Sequence, residues 1–396
     1  VRHENVAVVV VGAGPAGLLL AQLLDRSGVD CLVLEARSRE YVENRTRAGL
    51  LEQHTVDVLR AAGVADRLER NAIRHGGVEF RFAGRRHRVP TDELVGEPTW
   101  IYGQQEIVKD LIAARVASGG RLHFGVEDVR LSGLVERPRV HCTVDGTEVE
   151  ITADYLAGCD GSHGVTRRSL PDGAVSVLEQ SYPFAWLGIL AQARPCGTEL
   201  IYAPHERGFA LLSMRSPTVT RAYLQVDADD EVGNWPDERI WQELRRRLEA
   251  IDAAPVAEGP IIDRGITRMR GVVVDPVRVG RTFLAGDAAH IVPPSAAKGL
   301  NLAVADAESL AEALAARYRD GREDLLASYS DDCLRRAWTA QAFSASMTEL
   351  LHRFPGRTEF QAGVQRAQLR RLVDSDAAAR SFAEEYTGRS RRPLLI

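Results

Sequence analysis

Near the start of the chain, Val6-Ala7-Val8-Val9-Val10-Val11 is continuously apolar and mostly β-branched, the pattern of a strand buried on both faces of a parallel sheet. Leu18 to Leu24 predicts a helix, and Cys31-Leu32-Val33-Leu34 predicts the next strand. Further along, Gln105–Ser118 reads as a helix, and Tyr155–Gly158 and Thr282–Ala285 as short apolar strands. Leu200–Ala203, Gly208–Arg215 and Arg221–Val226 have the character of antiparallel strands, with a helix after Pro236. Along Gly208–Arg215, period-two alternation puts Leu211, Ser213 and Arg215 on one face, and Tyr223 could share it. Leu302–Ala316 and Glu323–Phe354 read as long helices with few breakers.

Three of the strands end in chemistry. The first runs into Gly12-Ala13-Gly14-Pro15-Ala16-Gly17, and Glu35 closes the next strand 18 residues after Gly17. A GxGxxG between strand and helix, with an acid at the ribose position, predicts an adenine dinucleotide site. Gly12 allows the tight turn, Gly14 the approach of a pyrophosphate, and Gly17 close packing of helix on strand. The free N–H groups of the helix start then meet the phosphate charge. The motif alone leaves FAD and NAD(P) both open. The second strand ends in Cys159-Asp160-Gly161 and the third in Gly286-Asp287, carboxylates placed to accept from sugar hydroxyls. Gly299-Leu300-Asn301 opens a helix whose N–H groups could face an anionic ring or a phosphate.

Composition narrows the class. Of 396 residues, 45% are apolar and 27% charged, an ordinary globular balance with a formal charge of -5. No net basic footprint marks a nucleic-acid partner, and no apolar run is long enough to cross a bilayer. The five scattered cysteines fit neither a disulfide framework nor a zinc site, and no metal-ligand motif appears. The apolar start leads straight into the glycine turn, so no signal peptide is read there, and a cytoplasmic location is expected. The basic end, Arg389–Arg392, reads as solvated.

Taken in order, GxGxxG, Cys-Asp-Gly and Gly-Asp resemble the single-component FAD-dependent aromatic hydroxylases, from about Val6 to Gly388. The resemblance implies an α/β (α+β overall) fold. A Rossmann-like FAD-binding domain would begin in 1–180, a β-sheet substrate domain would occupy 181–272, and 273–396 would complete the FAD domain and add C-terminal helices. Residues 76–180 are expected to finish the nucleotide sheet. The implied activity is hydroxylation of 4-hydroxybenzoate at C3, using O2 and NADH or NADPH, with FAD as cofactor. The same chemistry on an amino- or hydroxy-substituted ring is an alternative, as is a flavoprotein redox sensor. A cytoplasmic homodimer is also implied, with no nucleic-acid or membrane partner.

By the same resemblance, Gly12, Gly14, Ala16, Gly17 and Glu35 would hold the adenosine half of FAD. Arg45, Arg47, Gln53, Gln104, Asp160 and Asp287 would line its pyrophosphate and ribityl chain, followed by Lys298, Gly299, Leu300 and Asn301. His163 and Arg270 would meet the phosphates of the nicotinamide donor. Ser213, Arg215 and Tyr223 would bind the substrate carboxylate. Tyr202, Tyr386 and Pro294 would meet its phenol, and His75 would pass the phenolic proton to solvent. Two departures stand out. Pro293-Pro294-Ser295-Ala296-Ala297-Lys298 replaces the family's Pro-Pro-Thr-Gly-Ala-Lys, a change that could shift the flavin's seat. Ala36 follows Glu35 where well-known members carry an Arg that reads the NADPH 2′-phosphate, so Arg37, Arg39 and Arg45 are the remaining candidates and relaxed donor specificity is expected.

Overall fold

The computed structural model describes residues 1–47 and 49–389, so most of the basic end lies outside the described residues. The apolar run at the start forms the strand Arg2–Val11, with Val8, Val9 and Val10 wholly inaccessible. It pairs in parallel with Cys31–Leu34 on one side and Thr147–Gly158 on the other. Thr282–Leu284 adds in parallel to Thr147–Gly158, and Arg121–His123 to Cys31–Leu34. Three antiparallel strands complete an eight-stranded sheet. Helices Pro15–Arg26, Gln104–Ala117 and Gly299–Asp320 pack together against it, as the α/β expectation requires.

Register is the informative detail. Val11 lies opposite Gly158, and Gly158 opposite Leu284. Three motifs far apart in sequence therefore leave the sheet at one level, along the carboxyl edge where open α/β sheets bind ligands.

A second eight-stranded sheet carries the strands expected for a substrate layer. Its order is 290–291, 261–275, 176–191, 219–227, 210–216, 200–203, 78–82, 85–89. Ser176–Ala191 and Ile261–Asp275 are long ribbons, antiparallel to each other. One face packs on the helix Asp237–Leu248 around Leu187, Leu224 and Trp241. The other packs on Asp324–Leu351 and Asp376–Tyr386 around Phe80, Phe209, Met347 and Phe382. The hairpin 78–89 corrects one expectation: it does not finish the nucleotide sheet but extends this one, through parallel pairing of Val78–Phe82 with Leu200–Ala203. That pairing spans more than a hundred residues and leaves no local signal.

A small sheet of Leu50–Glu52, Thr99–Ile101 and Ile73–His75 bridges the layers. Asn301 fastens it. Its Oδ1 accepts from the Glu52 N–H at 3.0 Å and the Thr55 hydroxyl at 2.7 Å, while Nδ2 donates to the carbonyls of Leu50 and Ala297. Next to it the buried Lys298 ammonium donates to Glu52 and to the Tyr386 carbonyl, each at 2.7 Å. Both residues were expected to line the cofactor, with the helix-start N–H groups facing it. Instead the two side chains tie the small sheet and the C-terminal helix to the start of helix Gly299–Asp320, leaving only backbone N–H groups free to face a ligand there.

Asn301→Ala would strand several buried polar groups, each worth about 1–3 kcal/mol when left unpaired. Denaturant unfolding of the apoprotein should show a loss of at least about 2 kcal/mol; an unchanged midpoint would contradict the structural role.

Candidate active site

The three glycines of the first turn differ in what surrounds them. Gly12 has φ +106°, and a Cβ there would lie 2.4 Å from the Cys159 carbonyl oxygen. A Cβ on Gly17 would lie 2.0 Å from the Gly12 oxygen. Ala16 is buried behind the turn. Around Gly14, by contrast, nothing stands within 4 Å of a Cβ position. Gly14 is the extended residue that starts the helix, and Leu18 makes the first bond back to it. The N–H groups of Ala16 and Gly17 thus precede the first helical bond and are available to phosphate oxygens beside the open space at Gly14. Glu35 braces this loop, accepting from the Ala13 N–H at 2.7 Å and the Arg37 N–H at 2.8 Å.

The other two motifs close around the same edge. Asp160 Oδ2 accepts from the Thr166 N–H and hydroxyl, while Oδ1 is buried without a partner and burial raises the carboxyl's pKa. Arg167 bridges the motifs by donating to the carbonyls of Ser162 and Ala288. Asp287 is exposed although Gly286 and Ala288 beside it are buried, and its charge is felt at Arg47. Burial and the neighbouring Arg45 lower the Arg47 guanidinium's pKa; Asp287 works the other way. Opposite, the N–H groups of Gly299, Leu300 and Asn301 precede the first helical bond, from Leu302 to Lys298. An orphaned carboxylate oxygen, an empty cradle at Gly14 and two helix starts fit the phosphates and sugar hydroxyls of FAD. Gln104 opens the helix Gln104–Ala117. Gln53 is engaged elsewhere, with its amide bonded to Trp100 and Asp57. His163 lies on an exposed turn, and Arg270 on the strand Ile261–Asp275, 3.6 Å from Glu179.

Beneath the Gly-Asp turn is a group the sequence reading missed. Asp306, fully buried, accepts from the Gly286 N–H at 3.0 Å, pairs with His290 at 2.6 Å and receives the Cys333 thiol. Burial would raise its carboxyl, but His290 and Arg336 outweigh that and hold it at about 2. Burial opposes charge on His290, and Asp306 overcomes it, so the imidazole is raised. A lone acid inside Leu302-Ala303-Val304-Ala305-Asp306-Ala307 was the available signal.

On the second sheet, cross-strand pairing sets out a row. Tyr202 lies opposite Leu211, Leu211 opposite Tyr223, and Tyr223 opposite Gly188. Ser213 lies opposite Arg221 one step along the same face. Tyr202 and Tyr223 are therefore two strand spacings apart, about 9.5 Å between backbones, with Leu211 between them. Gly188 is small for a reason: a Cβ there would lie 2.9 Å from Arg221 and 3.3 Å from the Tyr223 ring. Arg221, which the sequence reading also missed, packs 5.2 Å from the centre of that ring.

Alternation was expected to put Arg215 on this face, but the ladder shifts register between Met214 and Ser216, so Arg215 sits on the irregular step just past it. Its Nε is sealed from solvent and unpaired, and its Nη2 donates to the Arg47 carbonyl at 3.0 Å. Burial lowers its pKa; Tyr223 opposes this and Arg221 adds to it. Among the described residues no carboxylate bonds to this half-buried cation, and the Ser213 hydroxyl donates to the Met214 carbonyl at 3.4 Å.

At the other end, Tyr202 donates to the Ser295 carbonyl at 3.0 Å. Tyr386 is equally buried, its hydroxyl turned to that of Tyr202. Burial raises both phenols, and Tyr386 eases the ionisation of Tyr202. Pro294 begins a short turn and accepts from the Ala297 N–H at 3.0 Å, so Ser295 supplies the carbonyl that meets Tyr202. Ala296 is buried in that turn, and the left-handed residue is Ala297, at φ +54°. His75 corrects an expectation. It was to meet solvent, yet it is wholly buried with both ring nitrogens unpaired, and burial lowers it to about 4.

A polar cleft of about 370 Å3 lies elsewhere, at the opposite ends of these strands, near Arg207, Arg247, Asp227 and Asp230. Arg207 and Arg247 there are already paired with Glu243. Among the described residues, no cluster of His, Cys, Asp or Glu could hold a metal ion, and no helix is long and apolar enough to cross a membrane. All five cysteines are free and buried.

Known proteins share this pattern. The family model described as FAD binding domain matches residues 5–344. The chain is 44% identical over 382 residues to p-hydroxybenzoate hydroxylase of Acinetobacter baylyi, covering 96% of this chain and 95% of that protein. It is 29% identical to 3-(3-hydroxy-phenyl)propionate/3-hydroxycinnamic acid hydroxylase of Mycolicibacterium gilvum, over 83% of this chain and 57% of that one. In fold it is similar to the crystal structure of p-nitrophenol 4-monooxygenase from Pseudomonas putida DLL-E4, with TM-score 0.79, 19% identity, and 98% and 100% of the two chains covered.

Gly14→Val tests the cradle. The backbone there is extended and the space open, so the apoprotein should keep its unfolding midpoint while FAD affinity, read by flavin fluorescence, falls at least about tenfold, the effect of losing one or more charge-assisted bonds. Unchanged FAD binding would move the pyrophosphate elsewhere.

Proposed function

We propose, from the premise that this chain belongs to the FAD binding domain family, that it is an FAD-dependent monooxygenase converting 4-hydroxybenzoate to 3,4-dihydroxybenzoate with O2 and NAD(P)H. The named hydroxylase sharing 44% of its residues supports this. The observation that carries the substrate is Arg215: a half-buried guanidinium that bonds to no carboxylate among the described residues, on the sheet that also carries Tyr202. That length suits one benzene ring with a carboxylate and a para hydroxyl.

Bound FAD supplies the activation of O2 and the transfer of one oxygen atom to the ring. The chain's residues do the rest. Arg215 pairs with the carboxylate, and Ser213 and Tyr223 donate to its remaining lone pairs. Leu211 supports the ring. Tyr202 accepts a hydrogen bond from the phenol and, with Tyr386, draws its proton away, which enriches the ring for electrophilic attack. His75, neutral at pH 7, is the base nearest in character to receive that proton, and because it is buried a rearrangement must carry the proton onward. Walls of Phe80, Phe209 and Met347 keep water out.

Gly12, Gly14, Ala16, Gly17, Glu35, Arg45, Arg47, Gln104, Asp160, Asp287 and the N–H groups of Gly299, Leu300 and Asn301 form the FAD contacts in this reading. His163 and Arg270 serve the nicotinamide donor. The proposal extends to a cytoplasmic homodimer, the free buried thiols being consistent with a reducing compartment.

4-Hydroxybenzoate should accelerate NAD(P)H oxidation and be recovered as 3,4-dihydroxybenzoate; donor oxidation with no hydroxylated product would support the redox-sensor alternative. In Arg215→Ala, with FAD retained, 4-hydroxybenzoate affinity should fall by about 2–5 kcal/mol, and an unchanged titration would remove Arg215 from the site.

Donor choice follows from the segment after Glu35. Arg39 is paired with Glu43 at 2.7 Å, and Arg37 lies 5.3 Å from the Tyr41 ring, so neither is held out toward a 2′-phosphate. Both NADH and NADPH should reduce the enzyme–substrate complex, with kcat/KM values within about a hundredfold. A preference for NADPH above about a thousandfold would show that Arg37, Arg39 or Arg45 does grip the phosphate.

A further inference from the structure

Ser344, Thr348 and His352 recur every four residues along helix Asp324–Leu351 and its cap, and all three are wholly inaccessible. A polar stripe in an apolar core persists where its groups are bonded, and two of these three are. The Thr348 hydroxyl donates to the Ser344 carbonyl at 2.7 Å. Its one proton is thereby used, so the Ser295 hydroxyl, 2.8 Å away, must be the donor to Thr348. His352 Nδ1 lies 2.9 Å from the Thr348 carbonyl and must donate to it. Its Nε2 then accepts from the Trp186 indole at 2.7 Å. The imidazole is thus fixed as one neutral tautomer, and burial lowers it to about 3, so it stays neutral.

The ends of this chain matter. Ser295 offers its carbonyl to Tyr202, at the phenol end of the proposed site. Trp186 packs 4.9 Å from the Tyr223 ring, at the carboxylate end, and 5.4 Å from Phe209. One helix stripe therefore grips the loop over one end of the substrate row and the sheet beneath the other.

We propose that Thr348 and His352 are positioning residues that fix the Pro294–Ala296 turn relative to the substrate sheet, so that Tyr202 is aimed at the phenol. The inference rests on the proposed function. The bond between Ser295 and Thr348 is a place where this chain departs from its family, since Ser295 replaces the usual threonine.

The test uses FAD-loaded full-length Thr348→Val, Thr348→Ser and Ser295→Ala, with the unmodified protein as reference. The readouts are the apparent pKa of bound 4-hydroxybenzoate, from its phenolate absorbance, the product formed per donor oxidised, and the substrate Kd. Thr348→Val and Ser295→Ala should each shift the phenol equilibrium toward the neutral form by up to about tenfold, the scale of one hydrogen bond. Product per donor should fall with it, while Kd changes less than about threefold because the carboxylate clamp is intact. Thr348→Ser should restore both, and combining the two variants should add little to either alone. Ser295→Ala leaves the helix core untouched, so it decides the matter if Thr348→Val folds poorly. Normal ionisation and coupling in Ser295→Ala would overturn the positioning role and leave the functional reading standing. If the unmodified protein binds 4-hydroxybenzoate without ionising it, the functional reading itself falls and takes this inference with it.

Discussion

The alignment of Val11, Gly158 and Leu284 across three parallel strands is the constraint on which the rest depends. Hydrogen bonding sets that register, and a slip of one residue would turn each strand's side chains to the opposite face. Because the three strands end level, a glycine turn, a Cys-Asp turn and a Gly-Asp turn meet along one edge. The packing between turns is tight enough to define them mutually: Gly12 must be glycine because the Cys159 carbonyl is beside it. The buried Asp306–His290 pair then holds the third turn from below.

The two sheets meet through backbone contacts as much as side chains. Arg215, on the substrate face, donates to the carbonyl of Arg47, whose own guanidinium feels Asp287 on the dinucleotide side. Lys298 and Asn301 bind the small bridging sheet to the helix start that completes the flavin cleft. Positions that looked like ligand contacts thus act as joints. A buried lysine with a carboxylate at 2.7 Å is more strongly committed to the protein than to a passing anion.

Legibility in the sequence followed locality. The glycine turn, its flanking strand and helix, and the alternation of Leu211 and Ser213 depend on neighbours a few residues away and were read correctly, whereas the same alternation was extended to Arg215 across a register shift that no local pattern announces. The pairing of 78–82 with 200–203 depends on a contact between distant segments and was missed. Arg221 and Asp306 escaped for a related reason: each becomes meaningful only beside a partner from another strand or helix, such as Gly188 or Gly286. His75 was assigned a role by resemblance, but its burial is a property of three elements packed together and no sequence pattern records it.

The unpaired Nε of Arg215 has a consequence for what the proposed pocket refuses. A neutral phenol of the same shape would cover the guanidinium with hydrocarbon, stripping away residual water and offering no lone pair in return. The discrimination is then asymmetric: the anion is admitted by attraction, and its uncharged analogue is rejected by a charge that would be entombed. In the proposed reading, selectivity for a carboxylate thus lies in the protein itself, as an electric field that only one end of the right molecule can terminate.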